Sequence, residues 1–134
     1  QAMPANYVHR DQWITLYRDM ATKLASLQQA DGTWHASLLD PDSYPSKETS
    51  GTTFYCYALT WGINQGILDK KTYLPVVERA WKALVGCVQP NGMLGYVQRI
   101  AGSPGHVTAD DTEVYAVGAF LLAGTEMLKL EESH

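Results

Sequence analysis

The chain has 134 residues, 46% of them hydrophobic and 18% charged, with a net charge of −4 and a pI of about 5.4. That length supports one domain with a real core, but the charge lies below the roughly 25% usual for a globular domain, so much of the surface is expected to be covered. The sequence has no basic cluster of the kind a nucleic-acid binder carries, and no apolar run near the roughly 18 residues of a membrane span; neither nucleic acid nor membrane is expected as a partner.

A first helix is predicted over residues 9–29, where Trp13, Leu16, Tyr17, Met20, Leu24 and Leu27 recur at helical spacing as one apolar stripe. Asp31-Gly32 should end it, glycine taking the left-handed conformation a helix terminus needs. Residues 33–49 form a long connection interrupted by Pro41 and Pro45. A second helix is predicted over 50–64 with Ser50 as its cap. It has no charged residue from Gly51 to Ile63, the composition of a helix buried on most sides. A third is predicted over 72–88, capped by Thr72, with Pro75 tolerated in its first turn. Its stripe is Tyr73, Val76, Val77, Ala80, Trp81, Leu84 and Val88, and Asn91-Gly92 stops it. After a connection over 93–109, a fourth helix is predicted over 111–128. Asp110 and Glu113 have the spacing of a capping box there, and the helix is free of charge from Val114 to Thr125.

The chain is thus written twice. Gln29-Ala30-Asp31-Gly32-Thr33-Trp34 returns as Gln89-Pro90-Asn91-Gly92-Met93-Leu94, an offset of 60 that also pairs Leu24 with Leu84, Thr52 with Thr112 and Tyr55 with Tyr115. Each copy holds an amphipathic helix, a stop, a long loop and an uncharged helix. In a double ring of paired helices the amphipathic set (9–29, 72–88) would lie outside and the uncharged set (50–64, 111–128) inside. The long loops would then gather at one end, where binding sites on rigid scaffolds are found. Two repeat units leave two open ends, so a larger ring is implied.

Candidate residues follow from that geometry. Trp34 and His35, in the first long loop, are candidates for stacking on a sugar and for a polar contact. Glu48, Ser50 and Thr52 open an inner helix, where free N–H groups attract an anion. Capping is the competing role for Ser50, and packing of the loop onto the core is the competing role for Trp34. The Asp110-Asp111 pair has the form of an acid–base couple, yet two acids at a helix start are more simply explained by the helix dipole. Cys56 and Cys87 read as core thiols, with no spacing for a metal. No targeting signal is read from Gln1-Ala2-Met3-Pro4.

Three stretches carry a resemblance to a known family. They are Leu27-Gln28-Gln29-Ala30-Asp31-Gly32-Thr33-Trp34-His35, Tyr44-Pro45-Ser46-Lys47-Glu48-Thr49-Ser50-Gly51-Thr52 followed by residues 57–66, and Asp110-Asp111-Thr112-Glu113-Val114-Tyr115-Ala116-Val117-Gly118-Ala119-Phe120. They resemble the later part of family 105 glycoside hydrolases, the unsaturated rhamnogalacturonyl hydrolases and relatives. The resemblance implies an all-α fold, here two helical hairpins of an incomplete (α/α)6 toroid, with residues 1–134 a single segment from the C-terminal part of the catalytic domain (helix pairs at about 9–64 and 72–128). It implies an oligosaccharide substrate ending in a 4,5-unsaturated uronic acid, hydrolysed by hydration of the vinyl ether without metal or other cofactor. The family's catalytic Asp belongs to its earlier half, so no catalytic residue is expected in this chain, and Trp34, His35, Glu48, Ser50 and Thr52 are expected as substrate contacts. The chain alone should be inactive, its exposed apolar edges covered by the upstream part of the same domain or by self-association. The alternative reading is a non-catalytic helical-repeat binding module.

Overall fold

The computed structural model describes residues 3–133. Four helices form: α1 (Arg10–Ser26), α2 (Thr49–Asn64), α3 (Lys70–Val85) and α4 (Val114–Glu132), with one 3-10 turn at Pro41–Ser43. Among the described residues there is no strand, only an isolated bridge between Val88 and Leu94. No helix is long and apolar enough to cross a membrane.

The arrangement is two helical hairpins side by side. α2 lies along α4 and against α3. Side-chain bonds tie α1 and the residues after it to α2 and α3: the Tyr17 hydroxyl donates to the Ala58 carbonyl (2.6 Å), Thr22 pairs with Tyr73 (3.1 Å), and the amide of Gln28, just past α1, donates to the Val76 carbonyl (2.9 Å). The uncharged helices are therefore neighbours in one layer, and the amphipathic ones flank them. Cys56, Leu59 and Ile63 of α2 meet Val77, Ala80 and Leu84 of α3 and Ala123 and Leu130 of α4 in the main core. Trp81 stacks on Phe120 to join α3 to α4, with ring centroids 5.0 Å apart. A smaller cluster of Cys87, Leu94, Val97 and Ala116 lies under the second long loop. Both cysteines are buried and free, and burial pushes the Cys56 thiol up to about 12 and the Cys87 thiol above its ordinary value. They are protonated packing groups, not nucleophiles.

One charged group sits inside. Glu126 of α4 is buried and accepts from the Asn64 amide (2.8 Å) and from Lys129 (2.7 Å), while Asn64 also donates to the Glu126 carbonyl (2.9 Å). Burial works to raise this carboxyl, but the bonds from Lys129 and Asn64 outweigh it and hold the group below the usual range. A lowered folded-state value means the contribution to stability is present above about pH 4.3, the unfolded Glu value, and is lost as pH falls through the folded value. Glu126→Gln is therefore expected to flatten the acid limb of a Tm-against-pH curve below about pH 5. Parallel acid limbs for the two proteins would count against it.

Several boundaries differ from expectation, each for a tertiary reason. The cap of α2 is Glu48, whose carboxylate accepts from Ser50 N and Gly51 N (2.8 Å each), so Ser50 lies inside the helix. The cap of α3 is Asp69, which takes both the N–H and the hydroxyl of Thr72, and Pro75 consequently sits beyond the first turn. α4 starts at Val114 rather than 111. Tyr96 N donates to Thr108 O and Val97 N to Asp111 O (2.9 Å each), holding 108–111 out of the helix; Asp111 closes a turn on Thr108, and the residue at the N-cap is Glu113 rather than the expected Asp110. On α1, the flank carrying Tyr17, Ala21 and Ala25 packs against the core, and Trp13 (52% exposed), Leu16 and Met20 face outward. The predicted stripe is split because α2 and α3 lie on one side of it only.

Candidate functional site

The two long connections, 27–48 and 86–113, meet at the N-terminus of α2. Each begins with the same turn. Gln29 N donates to Thr33 O (2.9 Å), Gly32 N to Gln29 O (2.9 Å) and Thr33 N to Asp31 Oδ1 (2.9 Å). Sixty residues on, Gln89 N donates to Met93 O (2.7 Å), Gly92 N to Gln89 O (2.8 Å) and Met93 N to Asn91 Oδ1 (3.0 Å). The outer helices keep that register, starting at Arg10 and Lys70, whereas the inner ones start at Thr49 and Val114, so the second copy has the longer loop.

Trp34 follows the first turn and is 1% exposed. Its indole N–H donates to the Leu24 carbonyl (2.8 Å) and its ring meets Tyr55 edge-on at 5.5 Å. The structure places this ring in the core. Thr52, fully buried, accepts from Trp34 N (3.0 Å) and donates to the Glu48 carbonyl (2.7 Å), joining the first loop to α2. His35 is partly exposed, its Nδ1 3.2 Å from the Pro41 carbonyl, which fixes the ring against the 3-10 turn.

Glu48 is the centre of the arrangement. Only 6% exposed, it caps α2 and also accepts from Gln98 N (3.2 Å) in the second loop. One carboxylate thus gathers three backbone donors, two from the first turn of α2 and one from the second loop 50 residues on, and negative charge is favoured there by the α2 dipole. Thr49 completes the seam, donating from N to Tyr96 O (2.9 Å) and from Oγ1 to Gly95 O (2.8 Å). Ser50, 8% exposed, stands beside them. Tyr96 holds a positive φ of 60°, a conformation costly for a side chain and here over-determined by its hydrogen bonds to Thr49 and Thr108.

The second loop forms the outer wall. A cleft of about 370 Å³ lies among Gln98, Arg99, Gly105, His106, Val107 and Asp111. The Tyr115 hydroxyl donates to the Gln98 carbonyl, and Arg99 pairs with Asp111 (3.5 Å). The Thr108 amide and hydroxyl bonds, with smaller help from Arg99 and His106, hold the Asp111 carboxyl below its ordinary range. Asp111 is taken up in closing the turn on Thr108 and in pairing with Arg99. The structure brings His35, Glu48, Ser50 and Thr52 to one end of the fold. It adds Tyr96, Gln98, Arg99 and Tyr115, which no local pattern marks, because the Glu48–Gln98 contact closes only when both loops are folded. Among the described residues no group of three or more His, Cys, Asp or Glu could hold a metal ion.

The model of Glycosyl Hydrolase Family 88 matches residues 1–131. The chain belongs to that family. It is 48% identical over 130 residues to an unsaturated 3S-rhamnoglycuronyl hydrolase of Formosa agariphila, covering 97% of this chain and 34% of that protein. Among solved structures, a glycosyl hydrolase family 88 protein from Bacteroides vulgatus superposes with a TM-score of 0.90 at 40% identity, over 95% of this chain and 38% of the other. A possible member of family 105 from Salmonella enterica superposes with a TM-score of 0.83 at 25% identity, over 96% and 35%. The family-105 resemblance of the sequence is thus met by a family-88 model with solved neighbours described under both numbers. The fold is two helical hairpins of an incomplete (α/α)6 toroid, and this family-88 chain spans about a third of the length of the relatives it matches.

Proposed function

We propose that this chain is the C-terminal third of an unsaturated glycuronyl hydrolase, supplying one wall of its substrate site and none of its catalytic acid. The observation that carries the reading is the 48% identity running through 97% of the chain but only 34% of the Formosa agariphila hydrolase. Two helix pairs are one third of six, which agrees with that coverage. The whole enzyme removes a 4,5-unsaturated uronic acid from an oligosaccharide. An Asp of the upstream part protonates the double bond, water adds to the neighbouring carbon, and the hemiketal opens to release the remaining sugar. In this chain His35 and Ser50 stand at the loop end as the contacts to sugar or carboxylate, and Glu48 as an acceptor for a sugar hydroxyl. Trp34 and Thr52 act from beneath, holding the loop that carries His35.

The open edges support the same reading. Val114, Val117, Leu121 (64% exposed) and Leu128 form an apolar strip along α4, and Trp13, Leu16 and Met20 form another on α1. Patches of that kind are normally interfaces. They fit the upstream helices of the same ring and disfavour a stand-alone binding module.

Loss of the unsaturated uronide's ultraviolet absorbance tests the proposal. The 134-residue chain is expected to leave an unsaturated disaccharide intact, and mixing with the upstream two thirds of the domain is expected to restore turnover. Robust turnover by the chain alone would falsify the assignment of the catalytic acid to the upstream part. Gel filtration adds a second readout: oligomers that collapse to a 1:1 complex when the upstream part is added are expected, and a well-behaved monomer indifferent to it would favour the binding module.

A further inference from the structure

Outside the loop-end site, three of the ten Lys and Arg residues of this acidic chain converge on one cleft. It measures about 410 Å³ and lies between the turn at 30–32 and the C-terminal half of α3, lined by Lys47, Arg79 and Lys82 together with Asp31. Both walls come from this chain. Among the described residues the only ion pairs are Arg99–Asp111 and Lys129–Glu126, so none of these three cations is paired.

Arg79 is held in place. Its Nε and Nη2 donate to Gln28 Oε1 (3.1 and 2.6 Å), and the Gln28 amide is itself anchored on the Gly32 and Val76 carbonyls (3.0 and 2.9 Å). Nη1 makes no bond to the described residues, so a guanidinium of fixed orientation has donors to spare. Lys47 reaches over the Tyr96 ring at 5.8 Å from its centroid. Asp31 opposes the positive charge, but its Oδ1 is engaged by Thr33 N and Oγ1 (2.9 and 2.7 Å). Complementing the helix dipole accounts for Lys82 alone, since it lies in the last turn of α3. Arg79 is nearly a turn earlier and Lys47 belongs to another segment.

We propose that this cleft binds an oxyanion borne on a saccharide chain, a carboxylate or a sulfate ester, as a second site outside the loop end. An oriented guanidinium supplies planar donors and two lysines supply flanking point charges. Lys47 adjoins Glu48, so the cleft borders the loop end, and an oligosaccharide longer than the unit being cleaved can run onto it. The saccharide part of the inference rests on the function proposed above; the oxyanion part rests on the three cations.

The test is titration of the 134-residue chain, labelled for amide shifts, at low ionic strength with four probes: tetragalacturonate (carboxylates only), a carrageenan tetrasaccharide (sulfate esters only), inorganic sulfate, and neutral maltotetraose. One or both charged oligosaccharides are expected to shift the Gly32 and Gly86 amides, and which of them does identifies the oxyanion. Maltotetraose is expected to shift neither. Lys47→Gln and Lys82→Gln should each weaken binding about three- to fivefold, the scale of one exposed ion pair, and Arg79→Lys should also weaken it despite keeping the charge. Binding should fall steeply as salt is raised. Inorganic sulfate binding there without either oligosaccharide would overturn the saccharide part. Absence of binding, equal binding of maltotetraose, or unchanged affinity in the Lys47→Gln/Arg79→Gln/Lys82→Gln variant would overturn the site itself. Shifts confined to residues 93–111 would do the same while leaving the loop-end proposal standing.

Discussion

Trp34→Ala is expected to lower the unfolding free energy by about 3–5 kcal/mol, the usual cost of emptying a buried tryptophan site. The indole is 1% exposed, closes against Tyr55 and donates to the last turn of α1. A small domain has roughly 5–15 kcal/mol in all, so this one change removes about a fifth of it at the least. Trp34→Phe separates the two contributions. It keeps most of the packing and loses the N–H bond, and since Leu24 O still accepts from Leu27 N (3.0 Å) no carbonyl is orphaned. A loss of about 1–2 kcal/mol is expected for it. Leu94→Ala, at the matching place of the second copy, should cost about 2–5 kcal/mol. Urea unfolding followed by circular dichroism measures all three. A Trp34→Ala loss below about 1 kcal/mol would mean that the loop repacks without the indole and that Trp34 does not anchor it.

The second large effect separates two glycines that look alike. Gly32 and Gly92 occupy the same turn with φ of 90° and 86°. A Cβ on Gly92 would meet nothing within 4 Å, whereas one on Gly32 would lie 2.5 Å from the Arg79 carbonyl oxygen, a backbone atom of α3. Gly92→Ala is therefore expected to cost only the left-handed conformation, about 1–2 kcal/mol. Gly32→Ala adds a clash that α3 must move to relieve, for about 2–5 kcal/mol in total. It should also weaken any ligand of the Lys47–Arg79–Lys82 cleft, whose wall would shift. Equal losses for the two variants would show that α3 does not press on the first turn in solution.

The loop-end residues show how far the sequence reaches. Asp31-Gly32 and Asn91-Gly92 announce a turn by local pattern alone, and the repeat at an offset of 60 is present in hydrogen bonds as well as in letters. In the sequence Glu48 stands before an uncharged helix, and Ser50 is the expected cap. Ser, Thr, Asp and Asn are the commoner caps, and only the carboxylate's third bond, to Gln98 N, shows why the longer acid is used. The start of α4 departs from the local signal for a related reason. Asp110 and Glu113 satisfy a capping rule, but the pairing of Tyr96 and Val97 with 108–111 takes those backbone groups first.

By itself the sequence determined the helical class, the two-fold internal repeat, the alternation of amphipathic and uncharged helices and the family to which the chain is similar. Each of these is written in neighbouring residues, through periodicity, turn chemistry and contiguous motifs. Only the tertiary structure decided which flank of α1 is buried, that Trp34 belongs to the core, that Glu48 binds two loops, and that Lys47 shares a cleft with Arg79 and Lys82. Those are contacts between segments tens of residues apart, selected by which helix lies beside which, and no local preference encodes them.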